Sequence, residues 1–270
     1  MPQGQELMQE IRQAAVEPGK FSMWWLGQQS WVVKTAHCLA GIDLFLSDHP
    51  KRRYPALLSP KELAGFNLVL GTHDHKDHID RDAWKIIAEH SPDTMFILPR
   101  RSVADVRIAT HIPIDRLMGL DDGQSVVSGD LKVTAVPSAH EWIDNLPEAG
   151  GHRWLGYILD PGSGGVLYHA GDTCVWEGMS ERLTEWDIRA ACLPINGRDA
   201  ERYKQGVIGC MVYQEAGDLA ARIGAKTVLP GHYDAFQRDA TDPNLFAEYV
   251  TSRYPEIKAM TPERGARVDL

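Results

Sequence analysis

The chain has 270 residues, 43% of them hydrophobic and 24% charged, which is the composition of an ordinary globular protein. This composition excludes a disordered, fibrous or repeat-built chain. The formal net charge of −9 at pH 7 gives no basic surface for a phosphate backbone or an anionic lipid headgroup. We therefore expect neither nucleic acid nor a membrane as a partner.

The four cysteines lie far apart and form no CxxC pair, which argues against a zinc knuckle or a disulfide framework; they are Cys38, Cys174, Cys192 and Cys210. Residues 1–20 carry several charges and no apolar core of the length found in signal peptides. No later stretch stays apolar for the roughly 18 residues that a membrane span needs. The sequence thus predicts reduced thiols in a cytoplasmic protein.

Short apolar runs typical of β-strands recur along the chain and give way to segments with helical spacing. The predicted strands are residues 23–26, 31–34, 44–47, 66–70, 94–98, 131–136, 155–159, 165–169, 188–193 and 226–229. The predicted helices are residues 81–89, 102–109, 213–223 and 243–253. No linker, repeat or composition shift divides the chain. We predict a single α/β domain over residues 1–270, with two sheets packed face to face and helices outside.

The chain contains 11 histidines, and several of them cluster directly after the predicted strand 66–70. His73, His75, Asp77 and His78 lie within one short loop, and imidazole and carboxylate groups are common ligands of divalent cations. In an extended backbone His73 and His75 face the same side, while Asp77 and His78 require a turn and face a second position. The loop therefore predicts a metal site; a merely solvated polar loop is the alternative.

Three further residues follow predicted strands in the same way, next to small or turn-forming neighbours. They are His140, Asp172 and His232. The ends of strands are where α/β sheets place their chemistry. Together with the histidine loop, these residues make a set large enough for two metal ions.

The order HxHxDH, then His, Asp and a final His, resembles the signature of the metallo-β-lactamase superfamily. This resemblance implies an αββα sandwich built from two mixed sheets, with a dinuclear metal site at the sheet edge. It assigns His73, His75 and His140 to one metal, Asp77, His78 and His232 to the other, and Asp172 as the bridge between them.

The flanking segments resemble one branch of that superfamily more narrowly. Residues 16–27, 72–80, 167–172 and 193–199 are similar to the L-ascorbate-6-phosphate lactonases. This resemblance implies two divalent ions per chain, Mn²⁺ or Zn²⁺, together with a small-molecule substrate and assembly as a homo-oligomer.

Two divalent cations that share a water lower its pKa from 15.7 to about 7, so hydroxide becomes available as the nucleophile at neutral pH. One cation polarises the carbonyl or phosphoryl oxygen, and the other stabilises the leaving alkoxide. We expect Asp77 and His232 to be the catalytic residues. The chain has no GxSxG motif that would favour a serine nucleophile.

Substrate contacts are predicted in the loop that follows residues 188–193. Asn196 and Arg198 are the candidates, because a guanidinium pairs bidentately with a carboxylate or phosphate. A surface salt bridge from Arg198 to Asp199 or Glu201 is the alternative.

Other residues near the predicted ligands are assigned supporting positions. Asp48 is expected to support the metal loop, and Tyr233 and Asp234 are expected to fix the ring of His232. His169 is expected to be a hydrogen-bonded core residue.

The sequence therefore predicts a metal-dependent hydrolase that uses a metal-bridged hydroxide to open a small, anionic lactone or ester. The first alternative is a phosphodiesterase or nuclease of the same fold that acts on a small or cyclic nucleotide. A non-catalytic metal-binding protein is the second alternative.

Overall fold

The first strand, β1 (Ser22–Gly27), divides its side chains between two hydrophobic cores. In the computed structural model, which describes residues 2–270, Met23 and Trp25 pack into one core, and Trp24 and Leu26 pack into another. Neighbouring side chains in a strand point to opposite faces of the sheet. A strand that is apolar on both faces therefore belongs to a sheet that is covered on both sides.

The other strands follow in chain order. They are β2 (Ser30–Lys34), β3 (Leu39–Ile42), β4 (Leu68–Leu70), β5 (Met95–Pro99), β6 (Leu117–Leu120), β7 (Ser125–Ser128), β8 (Leu131–Pro137), β9 (Asn145–Leu146), β10 (Gly151–His152), β11 (Leu155–Asp160), β12 (Val166–His169), β13 (Ile188–Pro194), β14 (Thr227–Gly231), β15 (Lys258–Ala259) and β16 (Arg267–Asp269).

The α-helices are all short. They are α1 (Gly4–Gln13), α2 (Arg81–His90), α3 (Val103–Thr110), α4 (Met179–Leu183), α5 (Ala200–Lys204), α6 (Tyr213–Arg222) and α7 (Pro243–Arg253). Across residues 2–270, none of the helices combines the length and the apolar character needed to cross a bilayer.

The strands form two seven-stranded mixed sheets and one small hairpin. The first sheet has the order β16-β1-β2-β3-β4-β5-β6, and the second has the order β15-β14-β13-β12-β11-β8-β7. Each sheet combines antiparallel pairs with a parallel stretch, which is β3 to β6 in the first sheet and β12 to β15 in the second. The hairpin of β9 and β10 stands apart.

The two sheets share one apolar core, and helices cover their outer faces. Helices α1, α2 and α3 pack on the first sheet, where Ile11, Trp84 and Val106 join the cluster that contains Trp24. Helices α6 and α7 contribute to the cluster that includes the second sheet. The predicted fold, two mixed sheets face to face with helices outside, is confirmed.

The strand predicted at residues 44–47 is wrong. The neighbouring strand β3 ends at Ile42, because Asp43 takes a left-handed backbone with a φ of 49°. Beyond it, the backbone N–H groups of Leu46 and Ser47 donate to the side chain of Asp80 instead of to a neighbouring strand. The apolar run at residues 44–46 does mark a buried segment, but the backbone N–H groups of Leu46 and Ser47 bond to a carboxylate and not to a strand.

We predict that the core between the sheets carries the stability of the fold. Leu167 is fully buried in it, and Leu167→Ala should lower the free energy of unfolding by about 2–5 kcal/mol, from lost burial and the remaining cavity. Val127→Ala is the matched control on an exposed strand position, with an expected change within about 0.5 kcal/mol. Urea unfolding of the metal-free protein measures both, and equal losses would contradict the assignment.

Candidate metal centre

The seven residues predicted as metal ligands lie together at one edge of the sandwich, each just after a strand. The loop after β4 carries His73, His75, Asp77 and His78, while His140 follows β8, Asp172 follows β12 and His232 follows β14. Their ligand atoms form two groups, in each of which all atoms lie within 4.8 Å of one another: His73, His75, His140 and Asp172 in the first group, and Asp77, His78 and His232 in the second.

The carboxylate of Asp172 lies between the two groups. On one side its Oδ2 is 3.8 Å from His73 Nε2 and 3.6 Å from His140 Nε2. On the other side its Oδ1 is 3.4 Å from His78 Nε2, and its Oδ2 is 3.0 Å from His232 Nε2. One buried carboxylate thus reaches ligand atoms of both groups.

A glycine allows the end of β12 to approach the histidine loop this closely. Gly171 has a φ of +61°, and a Cβ there would lie 2.8 Å from the Leu155 carbonyl oxygen and 2.8 Å from Thr72 Cβ. A side chain at this position would therefore force the backbone next to Asp172, or these neighbours, to shift.

Asp43, which the sequence analysis did not identify, fixes the orientation of His78. Its carboxylate accepts hydrogen bonds from Thr72 N and Thr72 Oγ1, both at 2.8 Å, and from His78 Nδ1 at 2.7 Å. With Nδ1–H committed to Asp43, the Nε2 atom of His78 is left to face Asp172 and Asp77. A carboxylate behind a histidine is the usual support for a histidine that binds metal.

Asp80 is a second supporting residue that the sequence analysis missed. Its buried carboxylate caps α2 by accepting from Ala83 N at 3.2 Å, and it also accepts from Leu46 N and Ser47 N at 3.0 and 2.7 Å. It therefore joins the end of the histidine loop to the segment after β3. Asp48, to which the sequence assigned this support, is exposed.

The neighbours of His232 act on the adjoining turn and not on its ring. The Tyr233 ring stacks on Trp25 with 5.1 Å between centroids, and Asp234 accepts hydrogen bonds from Gln28 N and the Tyr54 hydroxyl at 2.8 and 2.5 Å. His169 is buried, and its Nε2 lies 3.0 Å from the Gln29 carbonyl oxygen, as predicted for a core histidine.

The histidines of the cluster fall into two sets, one with lowered and one with raised pKa values. Burial lowers the pKa of His73 and His75, and lowers that of His140 to about 4, so these rings are neutral at pH 7. For His78 and His232 burial acts in the same direction, but the nearby carboxylates outweigh it. Asp172 is the main opposing charge; the pKa of His78 is raised well above its ordinary value and that of His232 to about 10.

The pKa values of the carboxylates Asp172 and Asp77 shift in the opposite direction to those of His78 and His232. Burial would raise the pKa of Asp172, but the adjacent His232 and His78 hold it well below its usual range. Asp77 is likewise held below its usual pKa, chiefly by His78 against the effect of burial. Both side chains are therefore ionised at neutral pH.

The donor set fits divalent cations. Within residues 2–270, His78 Nε2 and Asp172 Oδ1 are buried and have no hydrogen-bond partner, although buried polar atoms are nearly always paired. Both atoms face the centre of the cluster. Imidazole nitrogens and carboxylate oxygens in this number are ligands that Zn²⁺ and similar cations accept.

A cavity of about 320 Å³ opens above the cluster. Its lining includes His75, Lys76, Asp77, His140, Asp172, Asn196, Gln205, Gly206, Val207, Ile208, His232, Arg238 and Asp239. This volume suits a small molecule.

The two residues predicted to contact substrate have different places. Asn196 lines the cavity, is 3% exposed and has an Oδ1 atom with no partner in the described residues. Arg198 is not among the cavity-lining residues; its guanidinium donates to both carboxylate oxygens of Glu215, at 2.7 and 2.8 Å, and to the Cys210 carbonyl oxygen at 3.0 Å. Its fork is thus already occupied, by Glu215 instead of the predicted Asp199 or Glu201.

Comparison with known proteins agrees with this geometry. A family model described as a beta-lactamase superfamily domain matches residues 38–233. The probable L-ascorbate-6-phosphate lactonase UlaG of Escherichia fergusonii is 25% identical over 278 aligned residues, which cover 89% of this chain and 77% of the relative.

Two solved structures share the fold. Igni18, a metallo hydrolase from Ignicoccus hospitalis, aligns with a TM-score of 0.72 and 22% identity over 93% of this chain and 98% of its own. A possible metal-dependent hydrolase from Veillonella parvula aligns with a TM-score of 0.70 and 17% identity over 94% of this chain and 100% of its own. At these identities the likeness concerns the fold.

We predict that metal binding releases protons. A histidine must be neutral to bind a metal, and in the metal-free protein the raised pKa values of His78 and His232 keep both rings protonated at pH 7. About two protons should therefore leave, and the apparent affinity for Zn²⁺ should rise as pH increases from 6 to 8.5, still below the pKa of about 10 at His232.

Calorimetry in buffers of different ionisation enthalpy counts the protons released. Metal binding without proton release, or an affinity independent of pH over this range, would contradict the charge states assigned to His78 and His232.

Proposed function

The chain belongs to the β-lactamase superfamily, and on this basis we propose that it is a metal-dependent hydrolase that opens a small, anionic lactone or ester. The observation that carries the proposal is the convergence of seven histidine and aspartate side chains, in two groups around Asp172, beneath a cavity of small-molecule size. The lactonase similarity at 25% identity supports the choice of reaction.

We assign His73, His75 and His140 to one divalent ion, Asp77, His78 and His232 to a second, and Asp172 to both. Bound there, Mn²⁺ or Zn²⁺ would polarise the acyl carbonyl and make a water nucleophilic at neutral pH. Asp77 reaches the cavity with a side chain that is 16% exposed, where its ionised carboxylate can orient the attacking water and accept its proton. We assign His232, whose Nε2 lies 3.5 Å from Asp77 Oδ2, as the second catalytic residue.

Two positively charged side chains, Lys76 and Arg238, are our candidates for holding an anionic group of the substrate. Lys76 and Arg238 line the cavity with side chains that are each 50% exposed. Each of them has one carboxylate neighbour and still reaches solvent. Lys76 Nζ is 3.1 Å from the exposed Asp82, and Arg238 Nε is 3.7 Å from Asp239. Arg198, with its fork engaged by Glu215, would instead hold Cys210, close to residues 205–208 that line the cavity.

Two buried acceptors favour a substrate that carries hydroxyl groups. Within the described chain, Asn196 and Asp239 are each 3% exposed, line the cavity, and have an Oδ1 atom without a hydrogen-bond partner. An unpaired buried acceptor is costly, and a bound hydroxyl group can remove that cost. A hydroxylated lactone with one anionic group supplies both kinds of contact.

A phosphodiesterase acting on a small or cyclic nucleotide is the second candidate, since Lys76 and Arg238 would suit a phosphate equally well. The net charge of −9 and the limited cavity argue against a nucleic acid strand. A panel of lactones beside bis-p-nitrophenyl phosphate separates the two candidates. Faster phosphodiester turnover would make the second candidate the function.

We predict that single ligand substitutions abolish hydrolysis without unfolding the chain. His75→Ala and Asp172→Ala should each lower kcat/KM for the best lactone by at least about 100-fold, because each removes a ligand of the metal site. Circular dichroism and metal content of the same preparations show whether fold and metal are retained. Unchanged rates in both folded variants would remove these residues from the active site.

We predict that Arg238 recognises the anionic group. Arg238→Ala should raise KM for anionic substrates by roughly 5- to 20-fold and leave neutral esters nearly unaffected, as expected for the loss of one charge-assisted hydrogen bond. Arg198→Ala is the matched control and should change KM for both substrate classes equally. The reverse pattern would return the anchor role to Arg198.

A further inference from the structure

Gln28 lies in the turn between β1 and β2 and is fully buried beside the metal centre. Its side-chain amide donates to Asp77 Oδ2 at 2.9 Å and lies 3.1 Å from His232 Nε2. It therefore contacts two ligands of the second group, which come from loops 155 residues apart in the chain (232 minus 77).

The orientation of this amide is set by its other atom. Gln28 Oε1 accepts a hydrogen bond from Ala235 N at 3.3 Å, so the NH₂ group has to face Asp77 and His232. The backbone carbonyl group of Gln28 is also hydrogen-bonded. Its carbonyl oxygen accepts from His232 N at 2.9 Å and from Trp25 Nε1 at 3.0 Å.

The backbone of Gln28 is strained. Its φ of 53° lies in the left-handed region, which glycine and asparagine tolerate better than glutamine. A long polar side chain at such a position indicates that the side chain itself is needed there.

This contact restrains Asp77, whereas His78 and His140 have supports of their own. His78 is held by Asp43, and His140 Nδ1 lies 3.3 Å from the Gly209 carbonyl oxygen. Within residues 2–270, apart from its contacts with the ligand histidines, the Asp77 carboxylate accepts a hydrogen bond only from Gln28. Its side chain is also more exposed than those of His78 and Asp172, so packing restrains it less.

We infer that Gln28 is a positioning residue that holds Asp77 and His232 in the geometry needed to bind the second divalent ion. The inference rests on the dinuclear site of the proposed function, and it extends that proposal to a residue outside the ligand set. Withdrawing the Gln28 amide should weaken metal binding at the group of Asp77, His78 and His232 and leave the group of His73, His75 and His140 intact.

Gln28→Asn is the informative substitution. Asparagine suits the left-handed backbone but is one methylene shorter, so its amide is withdrawn from Asp77. If Gln28 served only the turn, this variant would behave like the unaltered chain. Gln28→Met keeps the length and removes the amide, and serves as a second variant should the asparagine variant fold poorly.

Calorimetric titration of metal-free protein with Zn²⁺ alone is the test. We expect the unaltered chain to bind two ions, and both variants to bind one of them about 10- to 100-fold more weakly while the affinity for the other stays within about twofold. Gln29→Asn is the matched control: Gln29 lies in the same turn and is equally buried, but its amide donates to the Gly171 carbonyl oxygen. It should not separate the two affinities.

The outcomes distinguish this inference from the proposed function. Two unchanged affinities in both variants would overturn the role of Gln28 and leave the dinuclear site standing. A parallel loss of both affinities with a lower melting temperature would reduce Gln28 to a structural residue. Fewer than two ions in the unaltered chain would overturn the dinuclear site and this inference with it.

Discussion

The geometry of the candidate metal centre depends on the burial of one carboxylate, Asp172, among imidazoles. Its side chain is only 3% exposed and reaches ligand atoms of both groups. Taking a charged carboxylate out of water is costly unless opposite charges or hydrogen bonds compensate, and here ring nitrogens supply that compensation. Protonated His78 and His232 do so in the metal-free protein, and two divalent cations would do so in place of the protons.

The supporting residues follow from this constraint. Asp43 accepts from one nitrogen of His78, Asp80 binds the backbone after β3 to the end of the histidine loop, and Gln28 donates to Asp77. Each acts from a different connection of the first sheet, so the candidate ligands are held by several segments and not by the histidine loop alone. Supporting residues of this kind hold the side chains of a functional site in a fixed geometry.

Backbone strain is concentrated at the same place. In the described part of the chain, five residues other than glycine have a positive φ, and four of them adjoin the cluster: Gln28, Asp43, Glu141 and His232. Such conformations persist only where the surrounding structure enforces them, and they gather at functional sites. Here they turn the chain sharply at strand ends, which lets ligands from distant segments meet.

The fold and the clustering of the seven candidate ligands could be predicted from the sequence, because both leave local patterns. The spacing of His73, His75, Asp77 and His78 and the apolar runs before the ligands can be read directly. Contacts between separate segments leave no such pattern: the approach of Gln28 to Asp77 depends on the order of the strands in the first sheet, and the pairing of Arg198 with Glu215 depends on how the loop after β13 meets α6. Asp43 was missed because the strand was predicted at residues 44–47; with β3 ending at Ile42, Asp43 also follows a strand.

The central claim of the proposed function is that two divalent ions bind at this cluster and share Asp172. Anomalous diffraction from crystals grown with Zn²⁺, recorded on both sides of the zinc absorption edge, tests it directly. The account predicts two anomalous peaks per chain, one beside His73, His75 and His140 and the other beside Asp77, His78 and His232, with Asp172 in contact with both. A single peak, or none at full zinc saturation, would contradict it.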